Sequence, residues 1–293
     1  MADNRIHLGS LQMAWRGWWH SPAPQQRRAD CAHVRGLWRR LQFGYAAVRL
    51  EGARYCLDRC LETAIGETLG RKQAVRKAES SLHRVPLGLL LLARHELTLG
   101  QLQAALAAQR EAGRGRIGEW LQAMGFVSEF HVTAALAQQW RCPILRSDAS
   151  IAVTSFIPAI PRTLLESLSM VPIDYIESRR TLYLAFGEKI DYSVLYTIEQ
   201  MIECRTEACL AAPSWVQRGL EQLSPSRTKC EIVFEQVSDN SEIARIIRGY
   251  CCRLRASEIR MGRCVSYLWV RLLRGRHLLL DVLLGSRLSS PTA

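Results

Sequence analysis

The 293-residue sequence predicts an α+β protein in which tandem helical hairpins pack on a small mixed sheet, with a basic helical segment before them and a small α/β module after them. Three observations lead there. A 24-residue unit occurs twice, at Pro86–Gln109 and Arg116–Gln139, and two copies of so short a unit mean one supersecondary element packed on its twin. From Cys142 onward, helical spacing gives way to short alternating apolar runs divided by turn residues. The net charge of +12 is uneven: residues 1–85 hold 15 Lys and Arg against 7 Asp and Glu, residues 86–215 hold 11 against 13, and residues 216–293 hold 13 against 7. The basic excess flanks a near-neutral middle, which suggests three parts, 1–85, 86–215 and 216–293.

The first part is rich in Arg and Trp, as in Trp15-Arg16-Gly17-Trp18-Trp19 and Leu37-Trp38-Arg39-Arg40. Between Arg35 and Lys77 apolar residues recur every three or four positions, first Leu37, Leu41, Tyr45 and Val48, then Leu57, Leu61, Ala64 and Ile65, which predicts helices. Basic residues interleaved with aromatics suit an anionic partner, either a membrane surface or nucleic acid. The charge is scattered around the helices instead of gathered into a stripe, which favours a solvated face or one covered by a neighbouring domain.

The repeat comes next. At an offset of 30, 8 of 24 positions are identical: Gly88/Gly118, Leu91/Leu121, Ala93/Ala123, Ala104/Ala134, Ala105/Ala135, Leu106/Leu136, Ala107/Ala137 and Gln109/Gln139. Each copy reads as a short helix, a turn and a longer helix. Pro86 suits the first helical position, and Leu87, Leu90 and Leu91 share one face. Thr98 opens the longer helix with Gln101 as its capping-box partner. In the second copy Gly125 can end the short helix in a left-handed conformation, and Ser128 caps the next.

Cys142-Pro143-Ile144-Leu145 begins the β-rich stretch, followed by a Pro-marked turn and helix over Ile157–Ser169, a strand at Met170–Tyr175, a turn at Glu177–Arg180, a strand at Thr181–Phe186 and a helix through Tyr192–Glu203. The two strands around Ser178-Arg179-Arg180 form a hairpin. Residues 213–229, with Pro213, Ser224, Pro225 and Ser226, are the expected linker. Beyond it come a strand at Glu231–Gln236, a helix at Ser241–Arg253, and strands at Glu258–Arg260, Tyr267–Leu273 and His277–Leu284.

Several function classes find no support. No apolar run approaches the roughly 18 residues of a membrane span, and Met1–Ser10 lacks a secretory apolar core, so a cytoplasmic protein is expected, with peripheral contact at an inner membrane through residues 1–85. Ten cysteines are placed without paired CxxC spacing, which fits reduced thiols and assigns no metal, no cofactor and no catalytic cysteine. Gly66-Glu67-Thr68-Leu69-Gly70-Arg71-Lys72-Gln73 is the nearest approach to a phosphate-binding loop. It lacks the spacing and the Ser or Thr after Lys, and it lies in a helical pattern, so no ATP hydrolysis and no enzyme activity are expected.

The pattern R-L-G-x2-L-x3-G-x6-L-x3-L-x2-Q, present twice in tandem, resembles the N-terminal domain of type II secretion and type IV pilus assembly ATPases (GspE N-terminal), in the MshEN subclass that binds cyclic di-GMP. The second copy carries it through Arg116, Ile117, Gly118, Leu121, Gly125, Val132, Leu136 and Gln139; the first through Leu87, Gly88, Leu91, Leu102, Leu106 and Gln109, with Pro86 in place of Arg and His95 in place of Gly. The strand, hairpin and helix after residue 142 resemble the second half of that domain, with Pro172 and Ala185 at its "LP" and "vA" elements. Ala256–Gly262 resembles the A-S-D-I-H-x-E element of the ATPases' second N-terminal domain, with Arg260 for His and Gly262 for the acidic residue, and Val270-Arg271-Leu272 resembles the basic strand after it. The resemblance covers about residues 86–285, and the ATPase core has no counterpart.

It implies a ligand-binding set of Arg116, Ile117, Gly118, Leu121, Val132, Leu136, Gln139, Leu87, Gly88, Leu91, Leu102, Leu106 and Gln109, with cyclic di-GMP as ligand and a secretion, pilus or polysaccharide-export machine as partner. The chemistry is intelligible on its own. A cyclic dinucleotide offers two guanine faces and two phosphates; Arg can stack on the one and fork onto the other, and Gly admits close backbone approach. Arg84 and Arg114 stand near enough in sequence to replace the guanidinium missing at Pro86. The alternatives are a protein-binding adaptor whose nucleotide site has decayed and, ranked last, a nucleic-acid-binding protein.

Overall fold

The computed structural model describes residues 47–57, 59–74, 85–146, 160–223, 230–237 and 239–285. In chain order the first elements are β1 (Ala47–Leu50), β2 (Ala53–Cys56) and α1 (Arg59–Ala74). The tandem repeat supplies α2 (Leu87–Ala93), α3 (Leu99–Ala112), α4 (Ile117–Ala123) and α5 (Glu129–Trp140). Then follow α6 (Arg162–Ser167), β3 (Met170–Ile176), β4 (Thr181–Phe186), α7 (Tyr192–Ile202), β5 (Arg205–Leu210) and α8 (Pro213–Gln222). The last are β6 (Glu231–Phe234), α9 (Asn240–Leu254), β7 (Glu258–Cys264), β8 (Tyr267–Arg274) and β9 (His277–Gly285). They divide between two compact units, one within residues 80–227 and one made of the stretches on either side.

In the flanking unit the sheet runs β2-β1-β7-β8-β9-β6. β1 and β9 join their neighbours β7 and β6 in parallel, and the remaining pairs are antiparallel. Alternation decides which side chains meet the helices. Leu268, Val270 and Leu272 of β8 and Val282 and Leu284 of β9 pack with Leu61, Ile65 and Leu69 of α1 and Ile243, Ile247 and Cys251 of α9. The intervening positions carry a buried polar cluster: Arg271 stands opposite Asp281 and meets it through two bonds of 2.8 and 2.7 Å, while the Trp269 indole donates to the same carboxylate at 2.8 Å.

Two expectations are corrected here. The helical spacing assigned to Val48 belongs to a hairpin: Val48 and Leu50 alternate inward, and Glu51 and Gly52 both take positive φ (48° and 83°), the geometry that tight hairpin turns require. That hairpin lies in the sheet of the C-terminal module, not in a separate helical segment; the helices expected before residue 47 fall outside the described residues. The helix expected through Leu57, Leu61, Ala64 and Ile65 is α1, which starts after Leu57 at Arg59 and also contains the Gly66–Arg71 run.

The middle unit holds a three-stranded sheet, β3-β4-β5, antiparallel and then parallel. Its hairpin matches the sequence reading, with a 3-10 turn over Glu177–Arg179 and Arg180 in the left-handed region. Two features depart from that reading. β5 was not expected. Residues 213–222, placed in the linker, form α8: Pro213 begins it, and Trp215 and Val216 are buried against Val171 and Ala185. Residues 224–229 lie outside the described residues. Within the Pro-marked turn and helix expected over Ile157–Ser169, the helix runs Arg162–Ser167 after Pro161. The Cys142–Leu145 stretch runs beside β5, Leu145 N–H donating to Leu210 at 2.7 Å and Leu210 N–H to Pro143 at 2.9 Å, which seats the repeat at the sheet edge.

Candidate ligand-binding site in the tandem repeat

The two copies fold alike for local reasons. Thr98 and Ser128 cap α3 and α5 by accepting from the N–H of Gln101 and His131 at 3.3 Å each. The short helices end at equivalent positions, His95 with φ 57° and Gly125 with φ 70°, so His95 stands in a conformation that suits glycine. Pro86 is the N-cap of α2 and precedes its first helical residue.

The copies then exchange contacts. Short helix α2 packs on α5 of the other copy, α3 packs on α4, and α2 touches α4. A Cβ on Gly88 would come within 2.7 Å of Leu102, and one on Gly118 within 3.2 Å of Val132, the same pair shifted by 30 residues. The added Cβ on Gly118 would also meet Leu87 at 3.2 Å, so at both glycines a side chain would force its neighbours to give way. The glutamines are exchanged as well. Gln109 Nε2 donates to the carbonyl of Gly115 at 2.8 Å, and Gln139 Nε2 donates to that of Val85 at 2.6 Å. Each ties down the residue just before the other copy's short-helix N-cap.

This packing sorts the sequence-predicted site residues. Leu91 and Leu121 are fully enclosed, and Gly88, Gly118, Leu102 and Val132 are buried, so these six build the scaffold. Leu87, Leu106, Ile117 and Leu136 are half-buried around that cluster. Gln109 and Gln139 are half-buried and engaged as described. Arg116 is exposed, the one charged member of the set. Its backbone is fixed on three sides: Glu119 accepts from its N–H at 3.0 Å, Gln109 holds Gly115, and Trp120 Nε1 donates to the Arg114 carbonyl at 3.0 Å.

The Arg116 guanidinium meets Glu188, in the turn between β4 and α7, at 2.6 Å, and this bond raises the guanidinium pKa above its ordinary value. A second tie joins repeat to sheet unit: Glu129 of α5 accepts from Ser214 N–H at 2.8 Å and Ser214 Oγ at 2.6 Å, at the start of α8. Sequence reasoning missed Glu188, Glu119, Trp120 and Glu129. Glu119, three residues past the N-cap, carried a capping signal that was available; Glu188, 72 residues from Arg116, carried none. Arg84 lies outside the described residues, and Arg114 contributes its carbonyl, not its exposed side chain.

A cleft of about 350 Å³ opens elsewhere in this unit, lined by residues that include Arg141, Tyr192, Tyr196, Glu199, Thr206 and Ala208. Glu199 is committed there to the Thr206 N–H at 2.8 Å. Among the described residues no group of three or more His, Cys, Asp or Glu is placed to hold a metal ion, no disulfide links the cysteines, and no helix is long and apolar enough to cross a membrane.

The fold and this arrangement define a module of two interlocked helical hairpins seated at the edge of a three-stranded sheet. No family model and no curated protein matches the sequence. Solved structures do: MshE with cyclic di-GMP is similar at 26% identity and a TM-score of 0.41, the match covering 48% of this chain and 100% of that one. The N-terminal domain of XpsE is similar at 17% identity in two crystal forms, with a TM-score of 0.35 over 46% of this chain and 91% of that one, and 0.29 over 49% and 100%. These neighbours fall in the group that the tandem motif resembles.

Proposed function

We propose that the chain is a non-enzymatic, cyclic di-GMP-responsive regulatory module of a secretion, pilus or exopolysaccharide machine. The observation that carries this reading is the doubled motif itself: its residues serve equivalent places in two reciprocally packed hairpins, and Arg116 stands at the surface in the motif's first position. The half-buried Leu87, Ile117, Leu106 and Leu136 supply apolar surface for guanine rings, and Arg116 supplies the fork for a phosphate or a stacked base. The reading takes the module as non-enzymatic, because phosphate transfer needs a loop of backbone amides with a Lys, and the nearest sequence run lies within helix α1.

Titration calorimetry with cyclic di-GMP, GTP and ATP tests it. Cyclic di-GMP binds, and Arg116→Ala weakens it ten- to hundredfold, the worth of a charge-assisted contact of about 1.5–3 kcal/mol. No binding at about 100 μM protein, or equal binding of all three that salt abolishes, refutes the reading. A protein-binding adaptor is the second reading. Pro86 favours it, since the first copy presents no guanidinium at its motif position.

A further inference from the structure

Resting on that reading, we propose that Glu188 sets the affinity and selectivity of the Arg116 site by occupying the guanidinium until a ligand displaces it. The carboxylate Oε2 sits 2.6 Å from Arg116 Nη1, where a phosphate oxygen of the ligand would bind. Both partners are held from behind. Arg116 is fixed by Glu119, Gln109 and Trp120 on the repeat side. Glu188 follows Gly187, whose N–H donates to Ser169 at 2.9 Å and whose Cα faces Pro213 closely enough that an added Cβ would stand 3.4 Å from it. Asp191, three residues further, anchors the turn by accepting from Ser193 N–H at 3.0 Å.

The pair is therefore pre-positioned, and its consequence follows from charge. An anion entering at Arg116 exchanges one carboxylate bond for one phosphate bond and leaves the Glu188 carboxylate beside a second negative charge. A ligand with a single phosphate gains nothing from that exchange. A ligand with further apolar contacts, such as two guanine rings on the half-buried leucines, does. Glu188 thus rejects inorganic phosphate and mononucleotides. The Glu129–Ser214 tie still joins repeat to sheet when Glu188 swings away, so displacement needs no separation of the two.

The experiment is a double-mutant cycle on the full chain, with cyclic di-GMP and GMP as the titrants. Glu188→Gln binds cyclic di-GMP about two- to fivefold more tightly than the parent, as losing an exposed competing pair allows, and gains measurable GMP binding. In an Arg116→Ala background the same change shifts affinity by less than about 1.5-fold, because the carboxylate then has no guanidinium to compete for. Thermal unfolding of Glu188→Gln within a few degrees of the parent assures that the fold is intact. Parent binding with no gain in Glu188→Gln overturns the proposal and leaves the functional reading standing. An equal gain in both backgrounds also overturns it, since Glu188 then acts only as a distant negative charge. Absence of binding in every variant sinks both the functional reading and the proposal.

Discussion

Removing the Asp281 carboxylate isolates one of the costliest interactions in the flanking unit. Asp281 and Arg271 are 3% and 5% exposed, and the carboxylate accepts two guanidinium bonds and the Trp269 indole N–H, all within 2.8 Å. The guanidinium carbon also lies 4.8 Å from the centre of the Trp269 ring. Asp281→Ala takes two charge-assisted bonds from the buried guanidinium and the acceptor from a buried indole donor. Breaking such a pair from one side costs about 3–5 kcal/mol, a large part of the roughly 5–15 kcal/mol that stabilises a typical domain. Replacing both partners by apolar groups, Asp281→Leu with Arg271→Met, removes the desolvation penalty together with the attraction and restores the part of the loss due to the broken ion pair, while the Trp269 indole stays without its acceptor. Urea unfolding followed by tryptophan fluorescence and far-ultraviolet dichroism measures both. A loss below about 1 kcal/mol in Asp281→Ala would show that water reaches the pair and would refute the argument from burial.

At the paired short-helix ends, an added Cβ on Gly125 meets nothing within 4 Å, so Gly125→Ala costs about 1–2 kcal/mol purely through its φ of 70°, while His95→Gly gains up to about 1 kcal/mol by relieving the same strain at φ 57°; denaturant midpoints that move the other way would contradict equivalence of the two turns. Burial pushes the Cys209 thiol up to about 11, with Cys142 a further cause and itself raised by burial, so at pH 8 Cys209 has about a hundredfold less thiolate than an ordinary cysteine and reacts far more slowly with a chromogenic disulfide than exposed Cys252. Its folded-state pKa is raised, so the unfolded chain releases this proton first. The stability that the neutral thiol contributes is complete below pH 9.0 and is lost as pH rises toward about 11, which a pH series of unfolding curves reads directly.

What the sequence by itself determined is local. The repeat's caps at Thr98 and Ser128, its left-handed helix end at Gly125, the hairpin of β3 and β4, and the helix and strands of the C-terminal module all follow from spacing and turn chemistry within a dozen residues. The motif also marks Arg116. Tertiary structure decided the rest, because the deciding partners lie far apart along the chain. Ala47–Cys56 reads as helical until β1 finds β7 some 210 residues later, Arg49 beside Glu258. β5 has a weak alternation of its own and becomes a strand by pairing with β4, and α8 looks like a linker until Trp215 has a sheet to cover. The motif leucines by themselves read first as helix-packing core, and the reciprocal packing of the hairpins enclosed Leu91 and Leu121 and left Arg116 outside, facing Glu188. Periodicity records which side of an element is apolar; which partner covers that side, and which charge ends opposite which, depends on how the chain returns on itself.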